Sequence, residues 1–264
     1  MAETLKLGVV GCLGRMGQAI VAAVAEFDGA DFIAGSEVST HPGAGQRMPG
    51  TQVIVSDCAK TVFDSADVVI DFTPPGNTAA HAALAAEKKT ALVVGTTGFS
   101  DDDNRVLDQA AADTVIIQAG NFSVGVNLMM ALVEEAASKL GREWDIEIID
   151  KHHRDKIDAP SGTAIMLGEA AAQGRGTTLD ELRANERTTQ MAARKKGSIG
   201  IASLRGGSVI GEHDVVFASN SERITLSHKA ENRTLFADGA VRAAIWAANQ
   251  KAGRYTMQDV LEFD

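Results

Sequence analysis

The segment Asp150-Lys151-His152-His153-Arg154-Asp155-Lys156-Ile157-Asp158-Ala159-Pro160-Ser161-Gly162-Thr163 gathers the most chemistry into the fewest residues. Five basic side chains fall within the six positions from Lys151 to Lys156. Downstream, Ser161 suits a helix N-cap, and Gly162 lets a ligand approach the backbone closely. Cations upstream and the N–H groups of a helix start downstream make a receptor for an anion with more than one negative group. A histidine in such a place can also give up a proton near neutral pH, which reduction of a C=C or C=N bond requires after hydride addition. A solvated charged loop is the alternative reading. Adjacent histidines could ligate a metal, but the cations around them and the want of a nearby Cys or third His speak against one, and none is expected.

A second constellation lies near the N-terminus. Gly11-Cys12-Leu13-Gly14-Arg15-Met16-Gly17 follows a predicted strand and opens a predicted helix. Glycines there permit a tight turn, close approach of the backbone to a pyrophosphate and close packing of helix on strand. The helix start would offer N–H groups to the phosphates. A glycine-rich turn alone is weak; Glu37, 20 residues after Gly17, strengthens it. A carboxylate at the end of the second strand can accept hydrogen bonds from ribose hydroxyls. Glu37 followed by Val38 favours NADH, while Arg15 is near enough in sequence to meet a 2′-phosphate, so NADPH stays open. Gly95-Thr96-Thr97-Gly98 and Ala119-Gly120-Asn121-Phe122 fit either nicotinamide contacts or simple glycine turns, and spacing alone divides evenly between them. Thr73-Pro74-Pro75-Gly76 reads as structural, as do His41, His81, His213 and His228.

These residues need elements to hold them. Short β-rich runs alternate with helical patterns through the first half, which predicts a mostly parallel sheet. Strands are expected at Leu5–Val10, Phe32–Ala34, Val53–Val55, Val68–Phe72, Leu92–Val94 and Val115–Ile117. Met16, Ile20, Val24 and Phe27 mark the apolar face of a first helix. Further helices are expected at Thr78–Lys88 and Asp101–Ala112, the latter capped by Ser100 with Asp103. After residue 123 the pattern changes: helix Val126–Leu140, strand Asp145–Asp150, the cationic loop and a helix from about Thr163. A loop follows, with a short helix near Leu179–Asn185. Consecutive antiparallel strands at Ile199–Leu204, Ser208–Ala218 and Arg223–Lys229 come next, then a long helix to about Lys251.

Bulk properties narrow the classes. A chain of 264 residues with 45% hydrophobic content can bury a substantial core. The net charge of -10 argues against nucleic acid or an anionic membrane as partner. A mean hydropathy of -0.02 without a long apolar run excludes a transmembrane span. Met1–Lys6 does not read as a signal peptide. Cys12 and Cys58 lack metal-ligand spacing and read as core residues of a reduced, cytosolic protein.

The glycine turn Gly14 to Gly17, Gly95-Thr96-Thr97-Gly98-Phe99, Asn121-Phe122-Ser123-Val124-Gly125-Val126-Asn127 and His152-His153-Arg154 through Ala159-Pro160-Ser161-Gly162-Thr163-Ala164 together resemble the set found in 4-hydroxy-tetrahydrodipicolinate (dihydrodipicolinate) reductases. Gly211-Glu212-His213 and Asn232 to Trp246 extend the likeness. Leu13 departs from a common glycine, Gly120 from a common alanine, and Val38 from a base found in some members. The resemblance implies an α/β chain: a Rossmann-type dinucleotide-binding domain (1–123 and 233–264) with an inserted α+β substrate and tetramerisation domain (124–232). It implies hydride transfer from NAD(P)H to C4 of a dipicolinate-type ring in the diaminopimelate and lysine pathway. His152 matches the family's proton donor/acceptor and Lys156 its second proton donor. His153, Gly162 and Thr163 match contacts to the substrate carboxylates. Gly11, Cys12, Leu13, Gly14, Arg15, Met16, Glu37, Gly95, Thr96, Thr97, Ala119, Gly120, Asn121 and Phe122 match cofactor contacts. A cytoplasmic homotetramer acting on a small dicarboxylate is expected, with neither nucleic acid nor membrane as partner. Two rivals remain: an amino-acid pathway dehydrogenase acting on an aldehyde or keto acid, which needs no cationic loop, and a non-catalytic dinucleotide sensor.

Overall fold

The structure, a computed structural model, describes residues 4–184 and 193–263. The chain divides into two compact units, one of residues up to Ser123 together with those from Thr234 onward, the other of Val124–Arg233.

The first unit is built on a six-stranded parallel sheet. Its strands are β1 (Leu5–Val10), β2 (Ala30–Ser36), β3 (Val68–Asp71), β4 (Ala91–Val94), β5 (Val115–Gln118) and β10 (Gly253–Tyr255), in the spatial order β10-β5-β4-β3-β1-β2. Every residue of β3 and β4 is buried, as strands covered on both faces must be. Helices α1 (Arg15–Val24) and α8 (Thr234–Ala247) belong to one apolar cluster. The short α2 (Ala59–Phe63), α3 (Thr78–Lys88) and α4 (Asp101–Ala110) supply another. α4 begins with a complete capping box, Ser100 Oγ accepting from the Asp103 N–H and Asp103 accepting from the Ser100 N–H. The chain leaves β1 for β2 on one side and later returns to β3 on the other. The carboxyl ends of β1 and β3 therefore flank a topological switch point, where a crevice opens. Val53–Val55, expected as a strand, makes only an isolated bridge at Ile54 with Arg47. The neighbouring Ser56 bridges Ser36, and the segment adds no strand to the sheet. The small C-terminal elements β10 and α9 (Met257–Val260) lie beyond the last element expected from the sequence.

The second unit pairs β6 (Asp145–His152), β7 (Ile199–Arg205), β8 (Glu212–Ala218) and β9 (Arg223–Lys229) in the order β7-β6-β8-β9. The expected run of consecutive antiparallel strands is corrected here. β6 intervenes, parallel to β7 and antiparallel to β8, and only β8 and β9 form a sequential antiparallel pair. β6 alternates buried with half-buried positions, and its buried Ile146 and Ile148 meet α5 (Val124–Lys139) and α6 (Gly162–Gly174) in one core. α7 (Leu179–Leu182) is shorter than expected, and Asn185 lies outside the described residues.

Candidate active site

In the first unit, β1 runs into Gly11, whose φ of +68° only glycine adopts without strain. A Cβ on Gly17 would sit 2.2 Å from the Gly11 carbonyl oxygen, so α1 packs against the turn as closely as backbone allows. Gly14 caps α1 with no side chain on the first-turn N–H groups. Gly11, Gly14, Glu37 and Val38 share a crevice of about 280 Å³ with Thr73, Pro74, Asn77 and His81. Thr73 and Pro74 of the loop read as structural, and His81, thus line the crevice that the glycine turn opens. Asp71, fully buried, receives the Thr73 N–H at 2.8 Å and faces His81 Nδ1 at 2.7 Å, so it anchors that wall. Thr96 Oγ1 donates to the Thr73 carbonyl, tying the loop after β4 to the loop after β3.

Not every predicted cofactor residue offers its side chain. Cys12 is buried against Gly35, and burial, then the nearby Glu37 charge, pushes its thiol up to about 11. Leu13 and Met16 pack on the core, whereas Arg15 is exposed. Phe122 is buried with its ring 5.4 Å from Phe72, and Asn121 is buried with Oδ1 on the Ser123 N–H. For Cys12 and Phe122, a ligand could meet only the backbone. Ala119 is buried, while Thr97 and Gly120 are exposed at the ends of β4 and β5. These residues provide what a dinucleotide needs: a turn open to phosphate, an uncapped helix start and a carboxylate at the crevice wall.

In the second unit the cationic segment does not lie wholly in a loop. Asp150, Lys151 and His152 are the last residues of β6. The sheet explains what that achieves. Asp150 pairs in register with Ser203 on β7 and with His213 on β8, placing a fully buried carboxylate among polar neighbours. Its Oδ2 accepts from the Ser161 N–H at 2.9 Å, the Ser203 hydroxyl at 3.0 Å and the Arg205 guanidinium at 3.0 Å. Its Oδ1 lies 2.6 Å from His152 Nδ1, an ion-pair distance at an angle off the straight hydrogen bond. Burial raises this carboxyl, but the Ser161 N–H, Arg205 and Ser203 outweigh it and hold the group at about 2.

His152 itself is pushed below the ordinary imidazole range, first by burial and then by Lys156 and Arg205, against the opposing pull of Asp150. His213, expected to be structural, stands beside it with ring centroids 5.2 Å apart. No local pattern could reveal that contact, because the register of two distant strands makes it. Ser161 caps α6 as expected, accepting from the Ala164 N–H, and its hydroxyl also meets His213 Nε2 at 3.1 Å. Gly162 is exposed and Thr163 half-buried at the first turn. His153 is half-buried, and Lys156 reaches Asp158 at 2.8 Å. Asp150, His152 and His213 each bring one potential metal-ligand atom within 4.8 Å of the others. The same carboxylate is bound to Arg205, and His213 Nε2 is engaged by the Ser161 hydroxyl, so a guanidinium supplies positive charge at this point.

Residues 5–122 match the family described as dihydrodipicolinate reductase, N-terminus, and residues 125–261 match dihydrodipicolinate reductase, C-terminus. The chain belongs to the dihydrodipicolinate reductase family. A 4-hydroxy-tetrahydrodipicolinate reductase of Sinorhizobium medicae is 48% identical over the whole of both chains, and one of Parvibaculum lavamentivorans is 46% identical over 99% of each. The solved dipicolinate-bound dihydrodipicolinate reductase of Paenisporosarcina sp. TG-14 superposes with a TM-score of 0.79 at 25% identity, over 97% of this chain and 98% of that one. The division of the dihydrodipicolinate reductase family into N- and C-terminal parts does not follow the folding units. The C-terminal part includes α8, β10 and α9, which complete the first unit. Among the described residues no helix is long and apolar enough to cross a membrane.

Proposed function

We propose that this member of the family reduces 4-hydroxy-tetrahydrodipicolinate, by way of dihydrodipicolinate, to tetrahydrodipicolinate in diaminopimelate and lysine biosynthesis. The observation that carries the reading is the family match over both parts of the chain, joined to an imidazole and an N-capped helix start held by one carboxylate. Bound NADH or NADPH supplies the hydride that C4 of the ring receives. The α1 start and the Gly11 turn hold the pyrophosphate, and Glu37 accepts from a ribose hydroxyl. Gly11 to Met16, Gly95 to Thr97 and Ala119 to Phe122 frame the rest of the cofactor, Cys12 and Phe122 through backbone.

His153, Gly162 and Thr163 receive the substrate carboxylates, where a helix start favours negative charge. His152 gives the proton that completes the reduction, directly or through a water, and Lys156 is the second proton donor. The approach of a dianion offsets the burial that depresses His152, so the substrate itself promotes the protonated ring. The dinucleotide-binding role falls to the first unit, and substrate binding and subunit contact to the second. Exposed Leu128, Leu132, Leu204 and Ile224 on the second unit are apolar surface suited to a homotetramer. Both cysteines are free, in keeping with a cytoplasmic setting, although Cys58 is exposed and not the core residue expected of it.

The test is oxidation of NADH by the purified protein, with substrate generated in situ by the preceding synthase from pyruvate and aspartate semialdehyde. Turnover that vanishes without the synthase supports the proposal. No turnover with either cofactor, from protein that still binds NADH, overturns it.

A further inference from the structure

Asp150 touches both halves of the anion receptor. It is fully buried, and its two oxygens face different ways. Oδ2 receives the Ser161 N–H at the start of α6, while Oδ1 approaches His152 Nδ1 at the end of β6. The chain between those points, residues 153–160, is closed by the same carboxylate. Arg205 tightens the closure, since one guanidinium nitrogen donates both to Asp150 Oδ2 and to the Asp158 carbonyl at 2.6 Å. Gly211 leaves room on the far side of the ring, where a Cβ would come 3.1 Å from His152 Nε2.

We propose that Asp150 is the positioning residue of this site, setting the tautomer of the His152 ring and its register with the Ser161–Thr163 helix start. The inference rests on the reading of His152 as the proton donor. The contact is bent away from a straight hydrogen bond, but at 2.6 Å a carboxylate oxygen and a bare ring nitrogen would set lone pair against lone pair, so Nδ1 of the neutral ring carries the proton and Nε2 is left with the lone pair. A proton taken up at Nε2 is then the one delivered, and a flipped ring would lose the close approach of Nδ1 to Asp150 Oδ1. An amide in place of the carboxylate would answer differently. With its oxygen kept on Ser161 and Arg205, its NH₂ faces Nδ1 and drives the ring proton to Nε2.

The experiment follows the His152 ring nitrogens by ¹⁵N NMR in the full-length protein with NADH present, assigned by loss of the signal in His152→Gln. Beside it run kcat, KM for the in-situ substrate and the NADH Kd of Asp150→Asn. The expected result is an Nδ1–H tautomer in the native protein that changes to Nε2–H in Asp150→Asn. With it should come a fall in kcat of about 100-fold or more and an unchanged NADH Kd. If Asp150→Asn does not fold, the native spectrum still decides, because a neutral Nε2–H ring in the native protein overturns the proposal. Native-like kcat and tautomer in Asp150→Asn, with kcat lost in His152→Gln, also overturn it and leave the proton-donor reading standing. Near-native kcat in His152→Gln removes that reading, and the kinetic part of the inference with it.

Discussion

The Ser161 hydroxyl and His213 Nε2 meet at 3.1 Å, joining the cap of α6 to strand β8 inside the second unit. His213 is held down to about 4, chiefly by burial, with His152, His228 and Lys156 adding to the effect against Asp150. The folded value lies below the ordinary 6.5, so the unfolded chain takes up this proton first as the pH falls. Stability should therefore decline from about pH 6.5 down to about pH 4, by roughly 3 kcal/mol in total from this group. Urea unfolding at several pH values across that window measures the slope. His213→Gln should flatten it; an unchanged slope would assign the effect elsewhere.

His152 predicts a separation between two pH profiles. Its depressed value belongs to the protein without substrate, so under the proposed proton-donor role the acid form should be lost from kcat/KM as the pH rises through a value below 6.5. A bound dianion raises the ring's proton affinity, which moves the same descending limb of kcat to higher pH. Steady-state rates from pH 5 to 8 check this. Coincident limbs, or a kcat limb at the lower pH, would show that the dianion does not act on the group that titrates.

Gly17 gives a sharper steric test. The missing Cβ would fall 2.2 Å from the Gly11 oxygen and 2.6 Å from Cys12 Cα, both backbone, which cannot swing aside. Gly17→Ala should push α1 off the Gly11 turn, costing about 1–3 kcal/mol of stability. It should also weaken NADH binding at least tenfold in a fluorescence titration. A native Kd would mean that the helix start makes no contact with the cofactor.

Cofactor choice should respond to one exposed position. Val38 is 58% exposed beside Glu37 at the crevice, so a longer side chain there meets no packing barrier. Val38→Arg would add a guanidinium for a 2′-phosphate, a pairing worth about 1.5–3 kcal/mol. The ratio of kcat/KM for NADPH over NADH should rise about tenfold or more. No change would place the 2′-hydroxyl away from Glu37 and Val38.

The features legible in the sequence are local in origin. Strands Leu5–Val10 and Arg223–Lys229 and helix Thr78–Lys88 have the predicted bounds, because a period of two or of 3.6 is written in consecutive residues. The Ser100–Asp103 box and the Ser161 cap were visible for the same reason, each needing only a span of three residues. Strand pairing is not local. Asp150 stood in plain view beside His152, yet only β7 on one side and β8 on the other bring Ser203, Arg205 and His213 to it, 53, 55 and 63 residues away. Val53–Val55 shows the converse, a β-like triplet to which the sheet offers no full strand partner.

The return of the chain to its first unit after Arg233 bears on how the protein is made. Synthesis proceeds from the N-terminus, so β1 to β5 leave the ribosome without α8, which packs with α1 in their core, and without the edge strand β10. The second unit, continuous from Val124 to Arg233, has all its partners as soon as its last residue emerges. The nascent sheet must wait through some 110 residues of another unit's folding before it is covered. In a growing polypeptide the later-encoded half is thus the first able to mature, and the earlier-encoded half carries the greater exposure to chaperones and aggregation.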